Sequence, residues 1–362
     1  LFNNKINTCT KIGIVSDYYY NNFGNKLQSF ALQFLFKQNN IESQIIAWED
    51  EKTDILIDYF KIRKNKNKKR RNAIFKCSIK YENNPYIYKN TPSAINDLNK
   101  LKVILFGSDQ IWNYKYHNKL YLDLGLFNGH IIKPKRYSYA ASIGTLSIDE
   151  NLKSLYLYGL QNFETISVRE NKSIETLNAI GLKNNIRFDL DPTLLMTKVQ
   201  WEQYISKFAK TKLPKTKYIL AYALSSKTLS DKANFISKKE NLTLIDCMDP
   251  SNKYFCINQF DFINLIKNAE YIITDSYHAL IFSIIFQKKV MLLNRESNPD
   301  MNMRIISLFE ELNLNTEAFN NEFIDTKNIT SSEIFKNLTN ESKKYLNEII
   351  AICNKADKGN IN

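Results

Sequence analysis

The stretch from Ala269 to Phe286 constrains the fold class of this chain more tightly than any other segment. A short apolar run, Tyr271-Ile272-Ile273, gives way to Thr274-Asp275-Ser276, and Tyr277-His278 then opens an apolar segment with helical spacing. That order describes a buried strand, a tight polar turn and a helix, the building unit of doubly wound α/β sheets. In such sheets ligands gather at the carboxyl ends of strands, where helix N-termini offer free amides and partial positive charge. A histidine in that first turn, beside an aspartate and a serine, can meet an anion and exchange protons near neutral pH. The same residue reads equally as a structural histidine bonded to a nearby carbonyl.

The rest of the chain repeats the alternation. Ile12 to Val15 reads as a first buried strand, and Ser16 to Asn25 as the loop that follows it. Leu27, Phe30, Ala31, Phe34 and Leu35 then fall on one helical face. Further strands are expected at 44–48, 103–106, 136–141, 165–168 and 186–190, with a helix over 171–179 between the last two. Asp191-Pro192 breaks the pattern, and the polar, lysine-rich stretch 207–217 reads as a hinge. A second set follows: strands at 218–224, 242–246, 271–274 and 290–293, with helices near 231–239, 261–268, after His278 and at 304–312. The tail from Ser331 to Cys353 reads as a pair of helices. The economical architecture is two doubly wound, Rossmann-like domains facing a central cleft. Residues 1–200 form the first, 213–338 the second, and 339–362 a C-terminal helix that packs back across the hinge.

Composition excludes several classes. With 362 residues and 44% hydrophobic content, the chain can build more than one packed core. It contains no apolar run of about 20 residues and opens on no charged-then-apolar signal, so a cytoplasmic, non-spanning protein is expected. The five cysteines are scattered without metal-ligand spacing, so no metal is expected. His117 and His130 read as surface or loop histidines. Neither a P-loop nor a dinucleotide fingerprint is present, and no glycine pattern supports a serine nucleophile. The net charge of +13 is partly local, since Arg63 to Arg71 carries seven basic residues in nine and no acid. Such a run is not expected in a core; it reads as a solvated loop or as a patch for anionic lipid headgroups. No nucleic-acid-binding pattern accompanies it, so nucleic acid is not expected as a partner.

Six segments, in order, give the chain a family resemblance. They are Tyr20-Asn21-Asn22-Phe23-Gly24-Asn25-Lys26-Leu27-Gln28, Phe106-Gly107-Ser108-Asp109-Gln110-Ile111-Trp112-Asn113, Ser138-Tyr139-Ala140-Ala141-Ser142-Ile143-Gly144, Ile166-Ser167-Val168-Arg169-Glu170, Asp191-Pro192-Thr193-Leu194-Leu195, and Asp275-Ser276-Tyr277-His278 with Ser283. Together they resemble the polysaccharide pyruvyl transferase family. The chain departs from that pattern at Ala279, often glycine in the family, and at Phe23 and Asn25, usually tyrosine and alanine.

The resemblance implies transfer of an enolpyruvyl unit from phosphoenolpyruvate to two hydroxyls of one sugar, giving a cyclic pyruvate ketal on a surface polysaccharide or its lipid-linked precursor. No metal or redox cofactor is required in principle. It implies His278 as the proton-transfer residue and Arg169 as the fork for the donor's carboxylate or phosphate. Ser276, Tyr277, Asn22, Gly24 and Asn25 join the donor side, and Asp109 acts on the sugar hydroxyl with Ser108, Gln110 and Trp112 around it. Asp109 also reads as a helix N-cap, Arg169 as the partner of Glu170 or another acid, and Asp275 as a residue that fixes its turn or orients His278. Two other functions fit the same architecture: a GT-B-type glycosyltransferase with a sugar-nucleotide donor, and a non-catalytic basic scaffold. The scaffold requires His278 and Arg169 to lie far apart.

Overall fold

The two strands that open the halves of the alternating pattern, Ile12–Val15 (β1) and Tyr218–Tyr222 (β8), are buried at every position. Each sits in a five-stranded sheet. The structure, a computed structural model, describes residues 5–7, 9–16, 22–48, 66–78, 80–81, 85–89, 91–115, 120–225, 229–295, 299–316 and 322–355. Tyr20, Asn21, Arg63 to Asn65 and His117 lie outside the described residues.

In the first half β1 is followed by α1 (Phe23–Gln38), β2 (Ser43–Trp48), α2 (Lys66–Ser78), β3 (Tyr86–Tyr88), α3 (Pro92–Leu98), β4 (Val103–Phe106), α4 (Leu120–Asp123), β5 (Lys135–Ser138), α5 (Glu150–Leu160), β6 (Ile166–Val168), α6 (Asn171–Ala179) and β7 (Ile186–Phe188). The sheet order is β3-β2-β1-β4-β5, and all its pairings are parallel. Crossovers run outward from β1 in both directions, so the order reverses between β1 and β4, where an open sheet offers its crevice. In register, Val15 lies beside Phe106, and Gly107 donates its N–H to the Val15 carbonyl at 3.0 Å. The loops after β1 and β4 therefore leave the sheet side by side.

The second half contains α7 (Lys198–Phe208), β8, α8 (Leu229–Lys239), β9 (Thr243–Asp246), α9 (Gln259–Asn268), β10 (Tyr271–Thr274), α10 (Tyr277–Ile285), β11 (Lys289–Leu292), α11 (Met303–Glu311), β12 (Ile324–Asp325) and α12 (Glu333–Asn354). Its sheet runs β12-β11-β10-β8-β9, parallel except for the short antiparallel edge β12. Thr274 lies in register with Tyr222, so the loops after β8 and β10 also emerge together. Asp275 fixes that corner by accepting from the Leu224 and Ser225 amides at 2.7 and 2.9 Å. The fold class is thus the expected one, α/β with two Rossmann-like parallel sheets.

Several expectations need correction. β6 and β7 do not extend the first sheet; they form their own two-stranded sheet, tied by single bridges to β5 (Tyr137 to Thr165) and to the segment just after it (Ala141 to Val168). The loop after β1 is shorter than expected, because Asn22 accepts from the Gly24 amide at 2.8 Å and starts α1 at Phe23. The tail is one helix of 22 residues rather than a pair. That helix lies against the first half: Tyr345 donates to the Ser138 carbonyl at 2.9 Å, and Ser342 accepts from the Leu190 amide at 3.0 Å. β3, α3 and α5 went unforeseen, β3 because three residues show no periodicity.

The basic run is also not what its charge suggests. From Lys66 onward it is helical, and Arg70 is only 2% exposed. Its guanidinium stacks on Phe23 at 4.5 Å and Phe255 at 5.1 Å and donates to the Cys247 carbonyl at 3.0 Å. Phe23 in turn stacks on Phe262 of α9 at 4.5 Å, which seats the start of α1 against the second half. A cation in an aromatic setting, with a carbonyl to accept its proton, is stable where a solitary charge is not.

Candidate functional site

Loop geometry directs the first acid. The position a Cβ at Gly107 would take lies 2.3 Å from the Tyr139 carbonyl oxygen, and φ there is +128°, so only glycine fits. Asp109 follows with φ 73°, a left-handed conformation that aspartate tolerates better than most residues. No helix follows directly, so Asp109 is not an N-cap. Its carbonyl is held by the Ser142 amide at 2.9 Å, and its carboxylate meets Arg169 at 2.8 Å.

Arg169 leaves the end of β6 and has a fully enclosed side chain. Its Nη2 pairs with Asp109 at 2.8 Å, its Nη1 with Asp191 at 3.2 Å and its Nε with Glu170 at 3.2 Å. Burial alone would lower its pKa, but Asp109, Glu170, Tyr277 and Asp191 hold it above the ordinary value. The fork assigned to the donor's anion is therefore spent on three acids of the protein. Of the two readings from sequence, pairing with acids is the one observed, in the interior rather than at the surface.

Asp191 is the hub. One oxygen, Oδ1, accepts from the Thr193 amide and hydroxyl at 3.0 and 2.6 Å. The other, Oδ2, lies 3.2 Å from Arg169 Nη1, 3.2 Å from Ser108 Oγ and 3.4 Å from His278 Nε2. Burial would raise the Asp191 pKa; His278 and Arg169 together hold it below the usual carboxylate range. Asp109 behaves alike: burial opposes ionisation, while Arg169, His278 and Arg304 hold its pKa down. His278 and Arg169 thus share one carboxylate oxygen, and the condition a scaffold required is not met.

His278 projects from the first turn of α10, capped by Ser276, whose hydroxyl accepts from the Ala279 amide at 3.4 Å. The ring lies against α1: a Cβ at Gly24 would sit 2.1 Å from His278 Nδ1. Tyr277, one residue earlier, lies buried beneath both Arg169 and Arg304, at 4.7 and 5.7 Å. Burial first, then Asp191, raises its pKa, so the phenol stays protonated.

Two arginines complete the cluster. Arg304, at the start of α11, comes 3.8 Å from Asp109 Oδ1. With its amide turned oxygen-first, Gln110 accepts from the same guanidinium at 3.0 and 3.3 Å. Burial, with Arg169 and Arg295 nearby, pulls the Arg304 pKa down to about 9. Arg295 Nε donates to the Asp275 carbonyl at 3.1 Å, and its amide donates to Asn302 at 3.0 Å.

Exposure sorts these groups into two layers. The side chains of Arg169 and Asp191 have no exposed surface, whereas Asp109, His278 and Arg304 keep 7%, 5% and 6%. Only the outer layer can touch a ligand without rearrangement.

The acceptor side needs more revision. Trp112 is fully buried, donates its indole N–H to the Asp123 carbonyl at 2.9 Å and packs edge-on to Phe163, so no ring face is open to a sugar. Ser108 is equally enclosed between the Ala140 carbonyl and Asp191, at 3.1 and 3.2 Å. Ser283 bonds back to the Ala279 carbonyl at 2.7 Å inside its own helix. On the donor side, Asn22, Gly24 and Asn25 lie at the N-terminus of α1, next to His278, with Asn22 acting as cap. His130 is exposed.

Sequence reasoning missed Asp191, Arg295 and Arg304. Asp191 opened a segment of the family resemblance but was read as a pattern break. Arg304 carried a signal as well: it precedes Ser307 and Leu308 by three and four residues, so it lies on the buried face of α11.

Two open parallel sheets, with an aspartate–arginine–histidine cluster where the loops after β4, β6 and β10 meet, define a doubly wound α/β protein with a polar site at the strand ends. A sequence model of the polysaccharide pyruvyl transferase family matches residues 22–297, and the chain belongs to that family of transferases in polysaccharide biosynthesis. No curated protein matches the chain. Solved structures with a similar course include the UDP-GlcNAc 2-epimerase from Neisseria meningitidis bound to UDP-GlcNAc, at 12% identity and a TM-score of 0.49, covering 94% of this chain and 100% of that one. A putative UDP-N-acetylglucosamine 2-epimerase from Listeria monocytogenes is similar at 11% identity and a TM-score of 0.49, covering 96% and 91%. The UDP-N-acetylglucosamine 2-epimerase from Rickettsia bellii follows at 12% and 0.47, covering 95% and 96%. Among the described residues, no helix is long and apolar enough to cross a membrane, and no group of three or more histidine, cysteine or acidic residues could hold a metal ion.

Proposed function

We infer that the protein transfers an enolpyruvyl group from phosphoenolpyruvate to two hydroxyls of one sugar in a surface polysaccharide or its lipid-linked precursor. The observation that carries this reading is the convergence of His278, Asp191, Arg169 and Asp109, drawn from four of the six family segments, on one polar cluster. His278 protonates C3 of the donor, which makes C2 electrophilic. Asp109, held ionised, takes the proton of the first attacking hydroxyl as its oxygen bonds to C2. Phosphate then leaves with the C2–oxygen pair, and the second hydroxyl closes the ketal. One hydroxyl proton balances the new C3–H bond, and the other leaves with phosphate. The first-turn amides of α10 and α1 suit the donor's anionic oxygens.

Residues 1–200 and 213–338 serve as the two units of this site, the first carrying Asp109 and the second His278, with 339–362 returning to the first. For a lipid-linked acceptor, the basic segment 63–71 holds the enzyme at the inner face of an anionic membrane.

The test is incubation with phosphoenolpyruvate and a panel of free and lipid-linked sugars, following phosphate release and an acid-labile pyruvate ketal by mass spectrometry. Ketal formation with equimolar phosphate supports the reading. Sugar transfer from a sugar nucleotide, with no turnover of phosphoenolpyruvate, would replace it with the glycosyltransferase reading.

A further inference from the structure

We propose that Arg295 is the arginine that grips an anionic end of the donor, in the role that the family resemblance gives to Arg169. This inference rests on the pyruvyl-transfer reading and names a donor-binding side chain within it.

Register brings Arg295 to the site. β11 runs parallel to β10 with Leu292 beside Thr274, and the Leu293 amide donates to the Thr274 carbonyl at 2.9 Å. Three residues past Thr274, α10 begins at Tyr277; three residues past Leu292 stands Arg295. The two segments leave the sheet side by side, so Arg295 arrives at the first turn of α10. Its amide donates to Asn302 at 3.0 Å, and its Nε donates to the Asp275 carbonyl at 3.1 Å. The guanidinium is thereby tied to the segment that carries His278.

Occupancy separates Arg295 from Arg169. Arg169 directs Nε, Nη1 and Nη2 each to a different carboxylate and has no exposed surface. An anion reaching it would displace an acid and leave that acid buried without its cation, which is strongly unfavourable. Arg295 instead spends Nε on a backbone carbonyl and meets the Asp275 carboxylate only at 3.8 Å. That carboxylate already accepts from the Leu224 and Ser225 amides. Among the described residues, Nη1 and Nη2 of Arg295 make no hydrogen bond, and the side chain keeps 7% of its surface exposed. The Nη1–Nη2 edge of a guanidinium is one that holds a carboxylate or phosphate by two parallel bonds.

The surroundings suit the same anion. In the first turn of α10 the Ser276 amide donates to Thr274 Oγ1 and the Ala279 amide to Ser276 Oγ. The Tyr277 and His278 amides between them have no acceptor among the described residues, and they add the partial positive charge of a helix start. Tyr222, the last residue of β8, ends in a buried hydroxyl with no hydrogen-bond partner among the described residues, within electrostatic reach of Arg295. A donor held by Arg295 lies at the turn from which its proton-transfer residue projects.

The experiment measures binding of phosphoenolpyruvate by titration calorimetry, and steady-state constants for both substrates, on the full chain and on Arg295→Gln and Arg295→Lys, with melting temperatures to confirm folding. The expectation is a 10- to 100-fold rise in donor Kd and KM for Arg295→Gln, with partial recovery in Arg295→Lys and little change in acceptor KM. If the wild type binds phosphoenolpyruvate and a folded Arg295→Gln variant binds it equally well, the inference is overturned and the pyruvyl-transfer reading stands. If the wild type neither binds nor turns over phosphoenolpyruvate, both fall together. Should Arg295→Gln fail to fold, Arg295→Lys decides: donor KM unchanged from wild type overturns the inference, and a raised donor KM with acceptor KM intact supports it.

Discussion

Gly24 and His278 touch across the two halves of the protein: a Cβ at residue 24 would lie 2.1 Å from the imidazole Nδ1, closer than real Cβ atoms come to anything. Gly24→Ala separates helix propensity from this contact. Alanine in a helix is favoured over glycine by about 1 kcal/mol, so a lone propensity effect would raise the melting temperature. The expected result is a lower melting temperature and a turnover reduced by about 100-fold, since small displacements of a reacting group are costly. A stabilised, fully active Gly24→Ala enzyme would show that the ring can move without consequence.

His278→Ala should lower kcat by roughly 10²- to 10⁴-fold, as for a lost general acid or base, with a smaller effect on donor affinity. Unchanged turnover with a lowered melting temperature would mark His278 as structural.

Arg169 should behave differently from a surface ligand-binding arginine. Removing it as Arg169→Leu leaves Asp109 buried without its main cation and takes from Asp191 the cation it shares with His278. Breaking a buried pair from one side costs about 3–5 kcal/mol. Chemical denaturation of the variant should show that loss even without substrate; a stability equal to wild type would return Arg169 to the donor.

The pH dependence of stability carries two opposed signals. Asp109 and Asp191 have lowered pKa values in the folded chain, so the stability they contribute is present above the ordinary carboxylate pKa and is lost as pH falls through and below it. Asp189 is the opposite case: burial pushes its carboxyl up to about 6, with Ser167 and Arg187 restraining the rise. The folded state then keeps a proton that the unfolded chain releases between about 4 and 6, and stability from this group falls as pH rises through that window. Asp189→Asn should therefore lose less stability than wild type between pH 4 and pH 6. Parallel curves from thermal melts across that range would refute the assignment.

Within the basic segment, charge and burial can be separated. Lys66, Lys68 and Lys69 changed together to Gln should weaken binding to anionic liposomes, with a smaller effect at high salt, and should leave the melting temperature nearly constant. Arg70→Gln should lower the melting temperature, because a desolvated cation–π contact is worth about 2 kcal/mol. Liposome binding unaffected by the triple change would remove the membrane role.

Much of this was legible in the sequence, and the failures share a physical cause. β1, β4 and β10 announce themselves because buried parallel strands are unbroken apolar runs, and His278 stood out as the histidine at a strand-to-helix turn. Trp112 misled because an aromatic near a polar loop has the same composition whether its face is open or packed on Phe163. Asp191 was read as a break because Pro192 follows it; the short 3-10 turn that Asp191 caps has no periodicity to reveal it. Arg70 and Arg304 were obscured by a general rule, that arginine lies outside, which gives way where aromatic rings and carboxylates receive the charge.

The seat of Arg70 has a mechanical consequence. Its guanidinium is wedged between Phe23, at the head of the helix that meets His278, and Phe255, and it is tied to the carbonyl just beyond β9. The helix that presents Lys68 and Lys69 is therefore geared to the strand ends of the second sheet. Any surface that grips those lysines fixes the angle at which the site faces it, and a shift of either sheet is transmitted to the other through one side chain.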